Sequence, residues 1–149
     1  MRKYLLPVAG LALLAASNGA FAAGNTASSN FTVSVIVNAY CTVAATAMNF
    51  GTFTGSIPAN TLATSTASVN CAAGTPYALS LASTAGTGAL TVSMVNGGST
   101  IPADLTVSTL AQTGTGAVQS FPINGKISAA VASPTVGTYA VTQTIYVLY

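Results

Sequence analysis

The sequence contains no histidine and no glutamate, and Asp104 is its only acidic residue. General acid–base catalysis uses pairs of His, Asp, Glu, Lys or Tyr side chains. A Ser–His–Asp arrangement needs a histidine, and the usual glycosidase mechanism needs two carboxyl groups. Asp104 and Lys126 could meet in space, but an isolated surface ion pair is the commoner arrangement. We therefore predict no catalytic residues and a protein that is not an enzyme.

Charge of either sign is scarce, because only 3% of the residues are charged. Lys126 is the only basic residue after Lys3, and one lysine cannot neutralise several phosphates, which excludes nucleic acid as a partner. Glycine-rich stretches such as Gly86-Thr87-Gly88 lack the lysine of a phosphate-binding loop and are predicted to be turns. We expect no small-molecule cofactor and no bound metal.

The first residues have the pattern of an export signal. Arg2 and Lys3 precede an apolar stretch at 5–16, and Ala20-Phe21-Ala22 places small residues where a signal peptidase reads them. We predict a signal peptide at residues 1–22, which leaves about 127 residues, the size of one domain. An uncleaved membrane anchor is the alternative, although a bilayer span needs roughly 20 apolar residues.

Two cysteines, Cys41 and Cys71, remain in this exported chain. An even number of cysteines in an oxidising compartment favours a disulfide. Closing a loop of about 31 residues would stabilise the fold by roughly 3–4 kcal/mol in the chain-entropy model. A thiol or metal pair is the alternative, but the chain has no histidine or glutamate to complete a metal site.

Short runs of alternating apolar and polar residues, separated by turn residues, make up the rest of the chain. The clearest is 31–41, in which Phe31, Val33, Val35 and Val37 share one face. Further candidate strands follow at a spacing typical of a sandwich or barrel: 47–54, 67–71, 77–83, 89–95, 105–111, 118–127 and 139–149. The sequence predicts an all-β fold, by default a two-sheet sandwich.

Several segments also follow one another in an order that is known from a protein family. After the alternating run and the first cysteine come Asn49-Phe50-Gly51-Thr52-Phe53, Ser68-Val69-Asn70-Cys71, Pro76-Tyr77-Ala78-Leu79-Ser80-Leu81, Pro122-Ile123-Asn124-Gly125-Lys126-Ile127, Gly137-Thr138-Tyr139 and a terminal strand that ends at Tyr149. In this order, with a signal peptide and one cysteine pair, the chain resembles spore coat protein U domains and the related archaic chaperone–usher pilus subunits. It departs from that pattern at Val141, where the family often has an acid, and at Gln143, where an apolar residue is expected.

The resemblance implies an incomplete immunoglobulin-like β-sandwich over residues 41–149, which lacks one strand and is completed by donor-strand complementation. A missing strand exposes an apolar cleft and unpaired backbone groups, which the N-terminal segment 23–40 of a neighbouring copy would cover by β-strand addition. The implied function is a structural subunit of a chaperone–usher surface pilus that supports adhesion and biofilm formation. The implied partners are a periplasmic chaperone, an outer-membrane usher and other copies or related subunits, on the surface of a Gram-negative bacterium.

Residues at the two ends of the mature chain receive roles from this resemblance. The donor strand would use Phe31, Val33, Val35 and Val37, whose burial would contribute roughly 6–10 kcal/mol before ordering costs. The strand that borders the cleft and pairs with the chaperone would carry Ile145, Val147 and Tyr149.

Each end also has a simpler interpretation. The alternating run 31–41 is, in most β-sandwiches, the first strand of its own sheet, and 139–149 is then an ordinary last strand. That alternative describes a secreted spore-coat or cell-coat structural protein that folds as a closed β-sandwich.

Overall fold

The structure is a computed structural model that describes residues 26–108 and 111–149. The predicted signal peptide, residues 1–22, lies outside the described residues. The chain divides into two units, Met1–Val35 and Ile36–Tyr149. In the first unit, the described residues 26–35 form no strand.

The second unit contains all the strands of the described residues. These are β1 (Cys41–Ala45), β2 (Thr61–Cys71), β3 (Pro76–Ser80), β4 (Ala89–Asn96), β5 (Ser99–Val107), β6 (Gln112–Thr113), β7 (Val118–Ile127) and β8 (Tyr146–Leu148). One antiparallel sheet has the order β1-β2-β7-β5-β4, and a smaller one has the order β6-β3-β8. Within residues 26–108 and 111–149, no helix has the length and apolar character needed to cross a membrane. The expected all-β fold is confirmed, and it is consistent with an immunoglobulin-like sandwich that lacks a strand.

The core lies on the inner face of the larger sheet, where β2, β5 and β7 alternate between more and less exposed side chains. In β2 every second side chain from Ala63 to Cys71 is buried. Strand β7 pairs with β2 over ten residue pairs and buries Ile123 and Ile127 against the same core. The smaller sheet contributes Leu79, which is 1% exposed. Burial of aliphatic side chains of this size contributes about 1.5–3 kcal/mol each.

The predicted disulfide is present between Cys41 and Cys71. The two cysteines face each other where β1 and β2 pair, and the described residues contain no free cysteine. The bond therefore fixes the chain at the residue where the alternating run 31–40 ends and the first strand begins.

Three predicted strands needed different bounds. The candidate 67–71 is the second half of β2, whose first half is rich in Thr, Ser and Ala and has a weak apolar signal. Strand β5 spans Ser99–Val107 instead of the predicted 105–111, because a proline such as Pro102 argues against a strand in the sequence, although it stands at an exposed position of the alternating burial pattern. Proline is tolerated there since β7 pairs with β5 only from Asp104 onward. Strand β3 ends at Ser80, whose hydroxyl donates to the Thr84 carbonyl at 2.8 Å.

Two other strand predictions were wrong, and both fall on segments that border the candidate functional site. Residues 47–54 form no strand, and of the predicted 139–149 only Tyr146–Leu148 does. The run 31–40 likewise forms no strand with any described residue. These segments have the alternation of a strand, but outside the Val95–Ala140 bridge and β8 they form no β-pairing with a described residue.

Candidate functional site

An apolar groove runs between two segments that we call the rims. The N-terminal rim is residues 47–53, which follow β1, and the C-terminal rim is residues 141–145, which precede β8. Both rims contribute side chains to the lining of the groove.

Two adjoining compartments make up the groove. The first has a volume of about 240 Å³ and takes its floor from the larger sheet, for example from Val92, Leu105 and Ile123. The second has a volume of about 650 Å³ and reaches Ile57 and Ile127. Four residues line both compartments: Met48, Phe50, Met94 and Tyr139. The floor is therefore the inner face of the sandwich, which ordinary folds cover completely.

The rims lack the backbone pairing that surrounds them. The last backbone bond before the N-terminal rim runs from the Thr46 amide to the Thr66 carbonyl at 3.0 Å, and the next begins at Ile57. On the other side, Ala140 pairs with Val95, and pairing resumes at Tyr146 in β8. Between these points neither rim forms a backbone–backbone hydrogen bond with a described residue. Side chains occupy two of these backbone groups, since the Gly51 amide donates to Asn49 Oδ1 and the Thr144 carbonyl accepts from Gln143 Nε2. The other amide and carbonyl groups of the rims are open to pairing, as at the edges of a sheet.

Side chains nonetheless hold the rims over the sheet. Met48 and Phe50 are half-buried, whereas the intervening Asn49 is exposed. They pack over Gly125 in β7, where an added Cβ would lie 2.3 Å from the Met48 sulfur and 2.9 Å from Phe50 Cζ. On the C-terminal rim, Gln143 Nε2 donates to the Leu81 carbonyl at 3.0 Å. Glycine at position 125 thus leaves the space that the N-terminal rim occupies.

The charged groups of the described residues do not line the groove. Asp104 and Lys126 face each other across β5 and β7. Ser128 donates to one carboxylate oxygen of Asp104 and Thr91 donates to the other, the latter at 2.7 Å. These bonds, that of Ser128 first, hold the pKa of Asp104 below its usual value, with the Lys126 charge adding to them. The groove itself suits a neutral, apolar ligand.

The predicted donor side chains are almost fully exposed. Phe31 and Val35 are each 86% exposed, Val33 is 82% exposed and Val37 is 80% exposed. Exposure of these four side chains to water costs the free energy that burial against a partner would recover. Their role in binding a second subunit stays a prediction.

The predicted cleft-edge residues separate into two groups. Ile145 lies in the C-terminal rim and lines the first compartment. Val147 is half-buried in β8 opposite Leu79, and Tyr149 is 63% exposed; neither lines the groove. Sequence reasoning did not identify Met48, Phe50 or Tyr139 as groove residues. Their alternation was recognised, but it was assigned to complete strands.

The comparisons with known proteins give one match. A family model described as Spore Coat Protein U domain matches residues 27–146. No curated protein and no solved structure matches the chain. The matched range includes the exposed run at 31–37, both cysteines and both rims.

Proposed function

Because the chain belongs to the Spore Coat Protein U domain family, a family of structural pilin and coat subunits, we propose that it polymerises by donor-strand exchange. In this proposal, the groove of one copy receives the N-terminal segment of another. The segment that is donated, residues 31–37, is called the arm below. The family is not an enzyme family, and the sequence has no histidine or glutamate and a single aspartate.

The observation that carries the proposal is the pair of unpaired rims on one groove. Backbone N–H and C=O groups are almost always paired when they are buried. A single added strand between the rims would cover the apolar floor and could pair with free backbone groups on either side. This is the requirement that β-strand addition meets, with main-chain hydrogen bonds giving affinity and alternate side chains giving specificity.

The arm has the properties that such an added strand needs. It is uncharged, it alternates, and it presents one apolar side chain at every second position from Phe31 to Val37. It lies before Cys41, so the disulfide does not enclose it. Insertion into a second copy would leave that copy's own arm available for a third, which produces a filament.

The proposed partners follow from the same exposed surface. An open groove and an exposed apolar arm on one chain invite premature association, since large exposed apolar surfaces associate. We expect a periplasmic chaperone to cover the groove and an outer-membrane usher to exchange it for the arm of the next subunit. The product would be a pilus on the surface of a Gram-negative bacterium, where it supports adhesion and biofilm formation.

The test uses the mature chain with Val33→Asp and Val35→Asp in its own arm, so that the arm of one copy cannot insert into the groove of another. We expect a synthetic peptide of residues 30–38 to raise the melting temperature of this arm-blocked chain by at least about 5 °C, because a ligand that binds only the folded state stabilises it. The control peptide carries the same two substitutions and should leave the melting temperature unchanged. An arm-blocked chain that melts at high temperature and ignores the wild-type peptide would instead be a closed sandwich, as in a coat protein.

A further inference from the structure

One side-chain hydrogen bond connects the middle of the C-terminal rim to the rest of the fold. From Val141 to Ile145 the backbone forms no backbone–backbone hydrogen bond with a described residue. The segment is anchored before it by the Val95–Ala140 bridge and after it by the pairing of Tyr146 with Ser80. Between these anchors, the hydrogen bond that reaches the rest of the fold is the one from Gln143 Nε2 to the Leu81 carbonyl, at 3.0 Å.

The Leu81 carbonyl lies where the pairing of β3 with β8 stops. One further step of the register that pairs Ser80 with Tyr146 would place Leu81 opposite Ile145. Instead, the Leu81 amide donates to the Thr87 carbonyl at 2.8 Å, and the Gln143 amide reaches the Leu81 carbonyl. The same Nε2 also donates to the Thr144 carbonyl at 3.0 Å, so both of its hydrogens are used. A side chain thus replaces the backbone ladder at this point.

We propose that Gln143 is a positioning residue, whose side-chain amide holds the C-terminal rim at the correct distance from the groove floor before a strand arrives. Leu81 and Gln143 both line the first compartment. Their bond sets the position of the rim at the middle of its unpaired stretch. This inference rests on the proposed donor-strand function and adds to it a residue that acts on the rate of strand capture.

The proposal has a kinetic signature. Before binding, a rim without the Gln143 bond would sample many positions, and the incoming strand would have to order it. After binding, the backbone bonds to the new strand would hold the rim whether or not Gln143 is present. Loss of preorganisation therefore lowers the association rate, whereas loss of a direct contact with the ligand raises the dissociation rate.

The experiment measures both rates with a fluorescent peptide of residues 30–38 and the arm-blocked mature chain described above. We expect Gln143→Leu to slow association roughly two- to tenfold, the range expected for one hydrogen bond, and to leave dissociation unchanged. The control is Thr142→Val, because Thr142 is an exposed neighbour in the same rim that does not line either compartment. It should change neither rate.

Hydrogen exchange provides a second readout that does not depend on the rates. Amides 141–145 of the unliganded chain should exchange faster in Gln143→Leu than with Gln143, and equally once the peptide is bound. Unchanged association, or a change in dissociation alone, would overturn the positioning role while peptide binding still supported donor-strand exchange. Failure of the peptide to bind the chain that retains Gln143 would overturn both.

Discussion

The β2–β7 ladder and the two rims both alternate in sequence, but only the ladder forms strands. Strands β2 and β7 contribute buried side chains to the core, and Met48, Phe50 and Ile145 of the rims pack against it. Strands β2 and β7 are neighbours over ten residue pairs, whereas the rims pair with no described residue between Thr46 and Ile57 or between Ala140 and Tyr146. The difference teaches that alternation specifies an extended segment with one buried face, but a strand also needs a neighbour.

The largest difference between the two regions should appear in amide hydrogen exchange. Amides of β2 and β7 should exchange only through global unfolding, while those of residues 47–53 and 141–145 should exchange through local opening and retain only slight protection. For a domain with a typical stability of at least about 5 kcal/mol, the two groups would differ by about 1,000-fold or more. Addition of the 30–38 peptide to the arm-blocked chain should protect the rims directly, and it should slow β7 only by the factor by which bound peptide lowers the population of the globally unfolded state. Rims that are already as protected as β7 in the free chain would remove the contrast.

Shortening a side chain should lower the free energy of unfolding more in the paired region than in the rims. Ile127→Ala in β7 removes a side chain that is 1% exposed, and we expect the free energy of unfolding in urea to fall by about 2–5 kcal/mol. The matched control is Val118→Ala in the same strand, where 63% exposure predicts a change within about 0.5 kcal/mol.

The free energy of unfolding in urea can also be measured for a shortened side chain of the N-terminal rim. Phe50→Ala should cost less than Ile127→Ala in the free chain, because Phe50 is only half-buried beside an open groove. Its cost should increase once the 30–38 peptide fills the groove. An equal cost with and without peptide would mean that Phe50 does not face the bound strand.

The sequence alone predicted the paired region better than the rims. Residues 118–127 were predicted as a strand and form β7 with the same bounds, since Ile123 and Ile127 lie on one face and find a partner in the same chain. Residues 47–54 and 139–149 have an equally good pattern. Whether such a pattern becomes a strand depends on a neighbour, and no local feature of the sequence states whether that neighbour belongs to the same chain.

The groove was predictable only through the family resemblance. Gly125 shows why, because its role is to leave room for Met48 and Phe50, which lie about 75 residues earlier in the chain. The departure noted at Gln143 was visible in the sequence, but the carbonyl that it binds belongs to Leu81, 62 residues away.

A smaller effect should follow from adding a methyl group where the N-terminal rim contacts β7. Gly125→Ala would place a Cβ against Met48 and Phe50, and overpacking of this kind costs about 1–3 kcal/mol. Because the Met48 side chain is flexible, Met48→Ala should relieve part of that cost. In a double-mutant cycle measured by urea unfolding, we expect a coupling of about 0.5–3 kcal/mol in the relieving direction. Additive costs would show that the N-terminal rim does not rest on β7 at this glycine.

The smallest expected effect comes from the one carboxylate side chain of the paired region. Hydrogen bonds from Ser128 and Thr91, helped by Lys126, lower the pKa of Asp104 in the folded state. A lowered folded-state pKa means that the ionised group favours folding at pH values above its unfolded pKa of about 3.9. This contribution is lost as the pH falls through the lower, folded-state pKa.

The urea midpoint should therefore be flat between about pH 5 and pH 8, because the sequence has no histidine to titrate there. It should decline only at or below about pH 4, and by little, since Asp104 is at the surface and its interactions are screened by solvent. Asp104→Asn should weaken this acid-side decline, while a second variant, Thr91→Val, should weaken it only in part because the Ser128 bond remains.

Peptide capture by the groove should be independent of pH over the same flat range, because neither Asp104 nor Lys126 lines it. A pH-dependent affinity between pH 5 and pH 8 would place a charged group at the groove and would contradict the separation of the charged, paired sheet from the neutral, unpaired rims.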